Sequence, residues 1–185
     1  ANALAESDGV ATYLSEEQDS AIYLQESGDV IVASDPLDGS SNIDTNVSIG
    51  TIFSILPAKG GTLQPGRNQL ASGIFVYGPQ TTLLVTFGNG VSAFQLDADG
   101  EFYDMSWLVN LPADTGEFAI NASNSRYWEV PVSNYIGDCL AGSAGPRNRN
   151  FNMRWVGSLV ADGWRIFRRG GIFLYPEDAR SGYAT

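Results

Sequence analysis

Short runs rich in β-branched and aromatic residues recur along the chain, at Val10–Leu14, Ala21–Leu24, Val30–Ser34, Ile49–Leu56, Thr81–Phe87, Val91–Leu96, Glu117–Ile120 and Ile172–Tyr175. Most are bounded by Gly, Asp or Pro, and several alternate polar with apolar positions, so they predict strands. Helical spacing is clearest in VGSLVADGWRIF, from Val156 to Phe167, where Val156, Leu159, Val160 and Phe167 fall on one face and Gly170-Gly171 supplies the stop. A second helix is predicted from Pro131 toward Leu140. The stretch Pro65–Tyr77 fits two readings, since Pro65 suits a helix start whereas Ile74-Phe75-Val76 suits a strand. The pattern as a whole predicts a strand-rich α/β chain with the helix around Val156–Arg169 packed on a sheet. No internal repeat is visible, and only Gly142–Asn150 has the composition of a linker.

Composition then narrows the chemistry. The 185 residues include no histidine and a single cysteine, Cys139. That excludes a Ser-His-Asp triad, a Cys-His pair, an HExxH zinc helix and a CxxC site within the chain. Any catalysis must rest on carboxylates, hydroxyls, Arg or Lys, with or without a hard metal. A lone cysteine in apolar surroundings reads as a buried, inert thiol, and the lack of a disulfide framework points to a reducing, cytoplasmic compartment. With 43% hydrophobic and 17% charged residues the chain has material for a sizeable core. Its longest apolar runs, such as Gly50–Leu56, are too short to span a bilayer, and Ala1–Ser7 lacks the basic start of a signal peptide. The formal net charge of −11 argues against nucleic acid as a partner, because phosphate contacts need clustered Lys and Arg.

Candidate chemistry centres on SDPLDGSSN, Ser34 to Asn42, which follows the apolar Val30–Ala33. If the chain leaves a sheet here, the Pro36-Leu37 bend can bring Asp35 and Asp38 to one side, with the Leu37 carbonyl between them. Mg²⁺ takes oxygen ligands at roughly 2.0–2.1 Å and keeps waters or phosphate oxygens, so two carboxylates and a carbonyl form a hard-cation cradle. The following Gly39-Ser40-Ser41 offers successive backbone N–H groups as a phosphate nest. The competing reading is an Asp-Pro turn in which Asp38 or Ser40 caps a following helix. Glu16-Glu17 ends the Val10–Leu14 run in the same way. Alone it reads as a solvated surface pair. Should that run lie beside Val30–Ser34, however, Glu16, Glu17, Asp35 and Asp38 would converge, which is tolerable only around divalent cations.

Read together, Glu16-Glu17, SDPLDGSSNID, VSIGTIFSIL, LQPGRN at Leu63–Asn68, FAINASN at Phe118–Asn124, FNMRWVGSLVAD at Phe151–Asp162 and GGIFLYP at Gly170–Pro176 resemble class I fructose-1,6-bisphosphatases, and the bacterial branch most. The resemblance runs end to end. DPxDG alone marks the wider lithium-sensitive phosphatase superfamily, whereas DPLDGSSN with the later blocks in order is far more specific.

The resemblance implies a layered αβαβα sugar-phosphatase fold, with a metal and phosphate half over about 1–110 and a sugar 6-phosphate half over about 111–185. It implies Mg²⁺- or Mn²⁺-dependent hydrolysis of the 1-phosphate of fructose 1,6-bisphosphate, as in gluconeogenesis or the Calvin cycle, by a homotetramer. Glu16, Asp35, Asp38 and the Leu37 carbonyl match the family's metal ligands. Glu17 matches the glutamate that helps activate the attacking water, and with Asp38 forms the catalytic set. Asp38, Gly39, Ser40 and Ser41 match the residues around the 1-phosphate. Asn121, Arg154 and Tyr175 match those around the 6-phosphate, Arg154 coming in the family from a neighbouring subunit. Asn124 and Trp155 stand where the best-known members carry tyrosines. The family also carries a catalytic aspartate before the position of Ala1, and a substrate lysine and metal-binding glutamate after that of Thr185. The chain as given is therefore expected to be a weak catalyst. The rival expectations are a sedoheptulose-bisphosphatase, an inositol-monophosphatase-like enzyme, and a non-catalytic metal-binding remnant.

Overall fold

The computed structural model describes residues 2–109 and 111–177, which fall into two compact units. The first comprises residues up to 109 together with Ser158–Ala161, and the second the remainder.

After a single turn of helix, α1 (Asn2–Ala5), the first unit is built on one eight-stranded sheet: β1 (Val10–Ser15), β2 (Ile22–Tyr23), β3 (Val30–Asp38), β4 (Ile49–Pro57), β5 (Ala71–Tyr77), β6 (Thr81–Thr86), β7 (Ser92–Leu96) and β8 (Phe102–Asp104), in the order β2-β1-β3-β4-β5-β6-β7-β8. Strands β1 and β3 run parallel, Ser15 beside Ser34, and every other pairing is antiparallel. On one face Leu56, Val76, Thr82, Leu84 and Ala93 are buried. The other face carries the aromatic neighbours Phe53, Phe75, Tyr77 and Phe102, with ring centroids 6.0–6.4 Å apart. Period-two alternation across paired strands produces this division.

The second unit holds a three-stranded parallel sheet with β9 (Glu117–Ile120) between β10 (Asn152–Met153) and β11 (Ile172–Leu174). Helix α2 (Val130–Leu140) turns Ile136 and Cys139 onto Phe118 and Ile120, and Trp128, Val132, Tyr135, Phe151 and Leu174 complete the cluster. Burial on both faces suits the continuous apolar run of β9. Helix α3 (Leu159–Arg169) ends at Gly170, whose φ of 73° lies in the left-handed region. None of the described helices is long and apolar enough to cross a membrane.

Two expectations need correction. Strand β3 does not stop at Ser34; it runs on through Asp38, because a bulge between Asp35 and Asp38 absorbs the extra residue opposite β4 and Thr51 Oγ1 donates to the Pro36 carbonyl at 2.9 Å. Proline, which has no N–H to give the ladder, is tolerated at such a bulge. Helix α3 begins at Leu159 rather than Val156. Gly157 has φ 83°, and the N–H groups of Val156 and Gly157 donate to the Asp162 carboxylate instead of entering a helical ladder. The apolar face drawn through Val156, Leu159, Val160 and Phe167 accordingly fails: Val156 and Leu159 are exposed, whereas Val160 is fully buried. Pro65–Tyr77 divides between its two readings, one 3-10 turn at Gly66–Asn68 and then β5.

Candidate active site

Parallel pairing of β1 with β3 builds the acidic part of the site. The Glu16 N–H donates to the Ser34 carbonyl at 3.0 Å, which sets Glu16, just past the end of β1, beside Asp35, where β3 outruns its parallel partner. The two carboxylates line one open hollow of about 390 Å³ with Leu14, Ser15, Ser34 and Ser54. Asp35 Oδ1 accepts the Leu37 N–H at 2.9 Å, which steadies the bulge from within. Among the described residues no Lys or Arg pairs with Glu16, Glu17, Asp35 or Asp38.

The expected convergence of all four carboxylates is not formed, and no group of three or more His, Cys, Asp or Glu among the described residues could hold a metal ion. Local geometry accounts for this. Glu17 follows Glu16 past the strand end, where its N–H donates to Ser15 Oγ at 3.3 Å, and it does not line the hollow. Asp38 is drawn elsewhere: its Oδ2 accepts the Ser158 hydroxyl at 2.9 Å and the Val160 N–H at 2.9 Å. Asp38 does cap a helix, but α3, through Ser158, which lies 120 residues away just before its start, and not the turn that follows it. What remains at the hollow is two hard carboxylates. Mg²⁺ is commonly held by one or two carboxylates with waters and phosphate oxygens, so the donor chemistry of Glu16 and Asp35 fits such an ion.

Gly39 is fixed by two separate demands. Its φ of 78° is left-handed, and a Cβ there would come 2.7 Å from the Ser158 Cβ. The chain then makes a 3-10 turn over Ser40–Asn42, closed by Asn42 N–H to the Gly39 carbonyl at 2.8 Å, with Ser40 and Ser41 exposed. A left-handed residue followed by right-handed ones aims successive N–H groups to one side, which is the form of an anion nest.

In the second unit, Asn121, Arg154 and Tyr175 are each the first residue past a strand of the parallel sheet, after β9, β10 and β11 respectively. Carboxyl ends of parallel strands are where open α/β sheets bind ligands. Asn121 and Tyr175 line a small hollow with Asn124 and Trp128, and Asn121 Oδ1 accepts the Ser123 N–H at 3.1 Å. Arg154 lines a different hollow, with Glu117, Asp162 and Arg165. Trp155 stacks on Phe173 with ring centroids 5.5 Å apart, so its ring serves packing.

Sequence reasoning passes over Glu117, Arg165 and Ser158. Glu117 accepts two parallel hydrogen bonds from Arg165, Nε to Oε2 and Nη2 to Oε1, both 2.8 Å, and Arg154 Nε stands 3.9 Å from Oε1. The Arg165 hydrogen bond holds the Glu117 carboxyl below its ordinary range; burial opposes the shift, and the charges of Arg165, Arg154 and Arg169 add to it. An isolated Glu opening a short strand carries no signal of this pairing. Ser158 does carry one, being a small hydroxyl residue immediately before a helix.

Comparison with known proteins places both units. Residues 1–106 match the family described as fructose-1-6-bisphosphatase, N-terminal domain, and residues 111–185 match fructose-1-6-bisphosphatase, C-terminal domain. The chain is 53% identical over 177 residues to a fructose-1,6-bisphosphatase class 1 of Rhodopseudomonas palustris (strain HaA2), covering 94% of this chain and 52% of the relative. It is 55% identical over 183 residues to a class 1 fructose-1,6-bisphosphatase of Cereibacter sphaeroides, covering 96% and 55%. The fold matches the holo-form crystal structure of Leishmania major fructose-1,6-bisphosphatase with a TM-score of 0.85 at 34% identity, over 92% of this chain and 56% of that one. The chain spans about half the length of the curated relatives it matches.

Proposed function

We propose that this chain, which belongs to the fructose-1,6-bisphosphatase family, takes part in hydrolysis of the 1-phosphate of fructose 1,6-bisphosphate, yielding fructose 6-phosphate and phosphate. The observation that carries the reading is the pair Glu16 and Asp35: two carboxylates with no cationic partner among the described residues, sharing one hollow where the β1–β3 pairing ends, close in sequence to the Gly39 turn.

In this reading Glu16 and Asp35 hold Mg²⁺ or Mn²⁺, while the Leu37 carbonyl and Asp38, which the family resemblance adds to the ligand set, do not line the hollow with them. Such an ion, when bound, neutralises charge on the phosphoryl oxygens and lowers the pKa of bound water. Glu17 takes a proton from the attacking water. The N–H groups of Gly39, Ser40 and Ser41 hold the 1-phosphate in line. Phosphoryl transfer through a metaphosphate-like transition state asks mainly for positioning and charge neutralisation, which matches a chain with carboxylates and backbone amides but no histidine. Asn121, Arg154 and Tyr175 receive the 6-phosphate in a homo-oligomer, in the cytoplasm, where the free buried thiol of Cys139 stays reduced.

The test is phosphate release from fructose 1,6-bisphosphate with and without Mg²⁺. Metal-dependent release that Glu17→Gln reduces by about 10²-fold or more is expected, the scale of losing a general base. Release that is indifferent to both Mg²⁺ and Glu17 would sink the reading.

A further inference from the structure

Asp35 opens the bulge of β3, and that bulge is held from the neighbouring strands. Asp35 pairs with Ile52 and Asp38 with Gly50, so Pro36 and Leu37 together stand opposite the single residue Thr51. Proline has no N–H for the ladder, and the Leu37 N–H is turned onto Asp35 Oδ1 at 2.9 Å. The Thr51 side chain supplies a tie of its own, its hydroxyl donating to the Pro36 carbonyl at 2.9 Å. A hydroxyl has one proton to give. With that proton on Pro36, the 2.9 Å hydrogen bond between Thr51 Oγ1 and Tyr77 Oη is donated by Tyr77. The tyrosine is itself fixed in place, since its ring stacks on Phe75 with centroids 6.4 Å apart and 16° between the planes.

Asp35 lines the hollow together with Glu16. Its Oδ1 is taken by the Leu37 N–H, whereas its Oδ2 has no hydrogen-bond partner among the described residues. We propose that Thr51, seated by Tyr77, is a positioning residue that fixes the Asp35-Pro36-Leu37 bulge and so holds the Asp35 carboxylate ready, with Glu16, for the divalent cation. The inference rests on the reading of Glu16 and Asp35 as ligands. It adds the side chains on β4 and β5 that preset one of them. A carboxylate otherwise rotates broadly about its terminal sp³–sp² bond, and a ligand ordered before the ion arrives loses less freedom on binding. Partners that orient a ligating carboxylate typically account for about 10–100-fold in metal affinity. A hydroxyl that acts through the backbone belongs at the lower end of that range.

The experiment titrates Mn²⁺ alone, followed by electron paramagnetic resonance, into the intact protein and into Thr51→Val, Thr51→Ser, Tyr77→Phe, Asp35→Asn and Glu16→Gln. Melting of each metal-free protein is recorded beside it. Thr51→Val keeps the branched shape of threonine without its hydroxyl and is expected to weaken Mn²⁺ binding about 10-fold. Thr51→Ser keeps the hydroxyl and should stay close to wild type. Tyr77→Phe keeps the stacked ring and should weaken binding by less than Thr51→Val; it carries the test should the valine variant not fold. Wild-type affinity in Thr51→Val and Tyr77→Phe, with Asp35→Asn and Glu16→Gln weakened, overturns the positioning role and leaves the ligand reading intact. Equal losses in Thr51→Ser and Thr51→Val overturn it too, because shape and not the hydroxyl would then matter. So does a drop in metal-free melting without a change in affinity. Wild-type affinity in both Asp35→Asn and Glu16→Gln would remove the reading and the proposal together.

Discussion

The two units handle charge in opposite ways. Residues 1–109 carry 14 acidic and two basic residues, whereas the rest of the chain carries seven and eight. In the second unit cations meet anions directly: Arg165 grips Glu117 with two hydrogen bonds, and Arg149 pairs with Asp114. In the first, Glu16 and Asp35 share a hollow with no cation from the described residues. Both units nevertheless put candidate residues where a parallel pairing ends, Glu16 and Asp35 past the last β1–β3 pair and Asn121, Arg154 and Tyr175 past β9, β10 and β11. Like topology with unlike charge compensation separates two jobs. A self-neutralised cluster supports structure without help, whereas a pair of carboxylates with no cationic partner leaves room for a solute cation.

The largest expected effect tests whether the second unit stands on its own apolar cluster. Phe118 is 2% exposed at the centre of that cluster. Phe118→Ala should destabilise by about 3–5 kcal/mol, read from denaturant unfolding in metal-free buffer. A loss under about 1 kcal/mol would mean that the cluster is not what holds β9 between β10 and β11.

Next comes the first unit's dependence on a solute cation. A ligand that binds only the native state stabilises by about 2.7 kcal/mol at 100 times its dissociation constant. Mg²⁺ should therefore raise the melting temperature of the wild type, and Asp35→Asn should abolish most of the rise. Asparagine keeps the oxygen that accepts the Leu37 N–H, so the metal-free variant should melt close to wild type. A Mg²⁺ shift that survives Asp35→Asn but vanishes in Glu117→Gln would reverse the contrast between the units.

Much of this organisation is legible in the sequence, for reasons that differ by element. Strands β1, β4, β6 and β9 announce themselves because β-branched and aromatic residues fill short runs between turn residues. The adjacency of Glu16 and Asp35 follows once the first two long runs are taken as neighbours. The continuation of β3 past Ser34 is not legible, since Pro36 and two aspartates disfavour a strand locally and only the ladder to β4 retains them. The start of α3 depends on a carboxylate inside the helix reaching back to two N–H groups, a tertiary detail of Asp162. The diversion of Asp38 is hidden for the same reason, because its partners lie 120 and 122 residues away and no period connects them. The short strands β8 and β10 have only three and two residues, too few to show a period.

The smallest effect sharpens the account of the second unit through pH. Glu117 titrates below its ordinary value of 4.5, first because Arg165 hydrogen-bonds the ionised form. Since its folded value is depressed, the folded protein holds this proton less readily than the unfolded chain does. The stabilisation is therefore complete above about pH 4.5 and is lost as pH falls through the folded value. Arg165 keeps 30% of its side chain exposed, which weakens the pair relative to a fully buried one. Glu117→Gln should accordingly lower stability by about 1–2 kcal/mol at neutral pH. The gap between wild type and variant should close as pH falls below about 4.5 in metal-free guanidinium titrations. A gap of constant size down to acid pH would mean that shape, not charge, joins Glu117 to Arg165. The contrast with the cation-free carboxylates of the first unit would then lose its electrostatic basis.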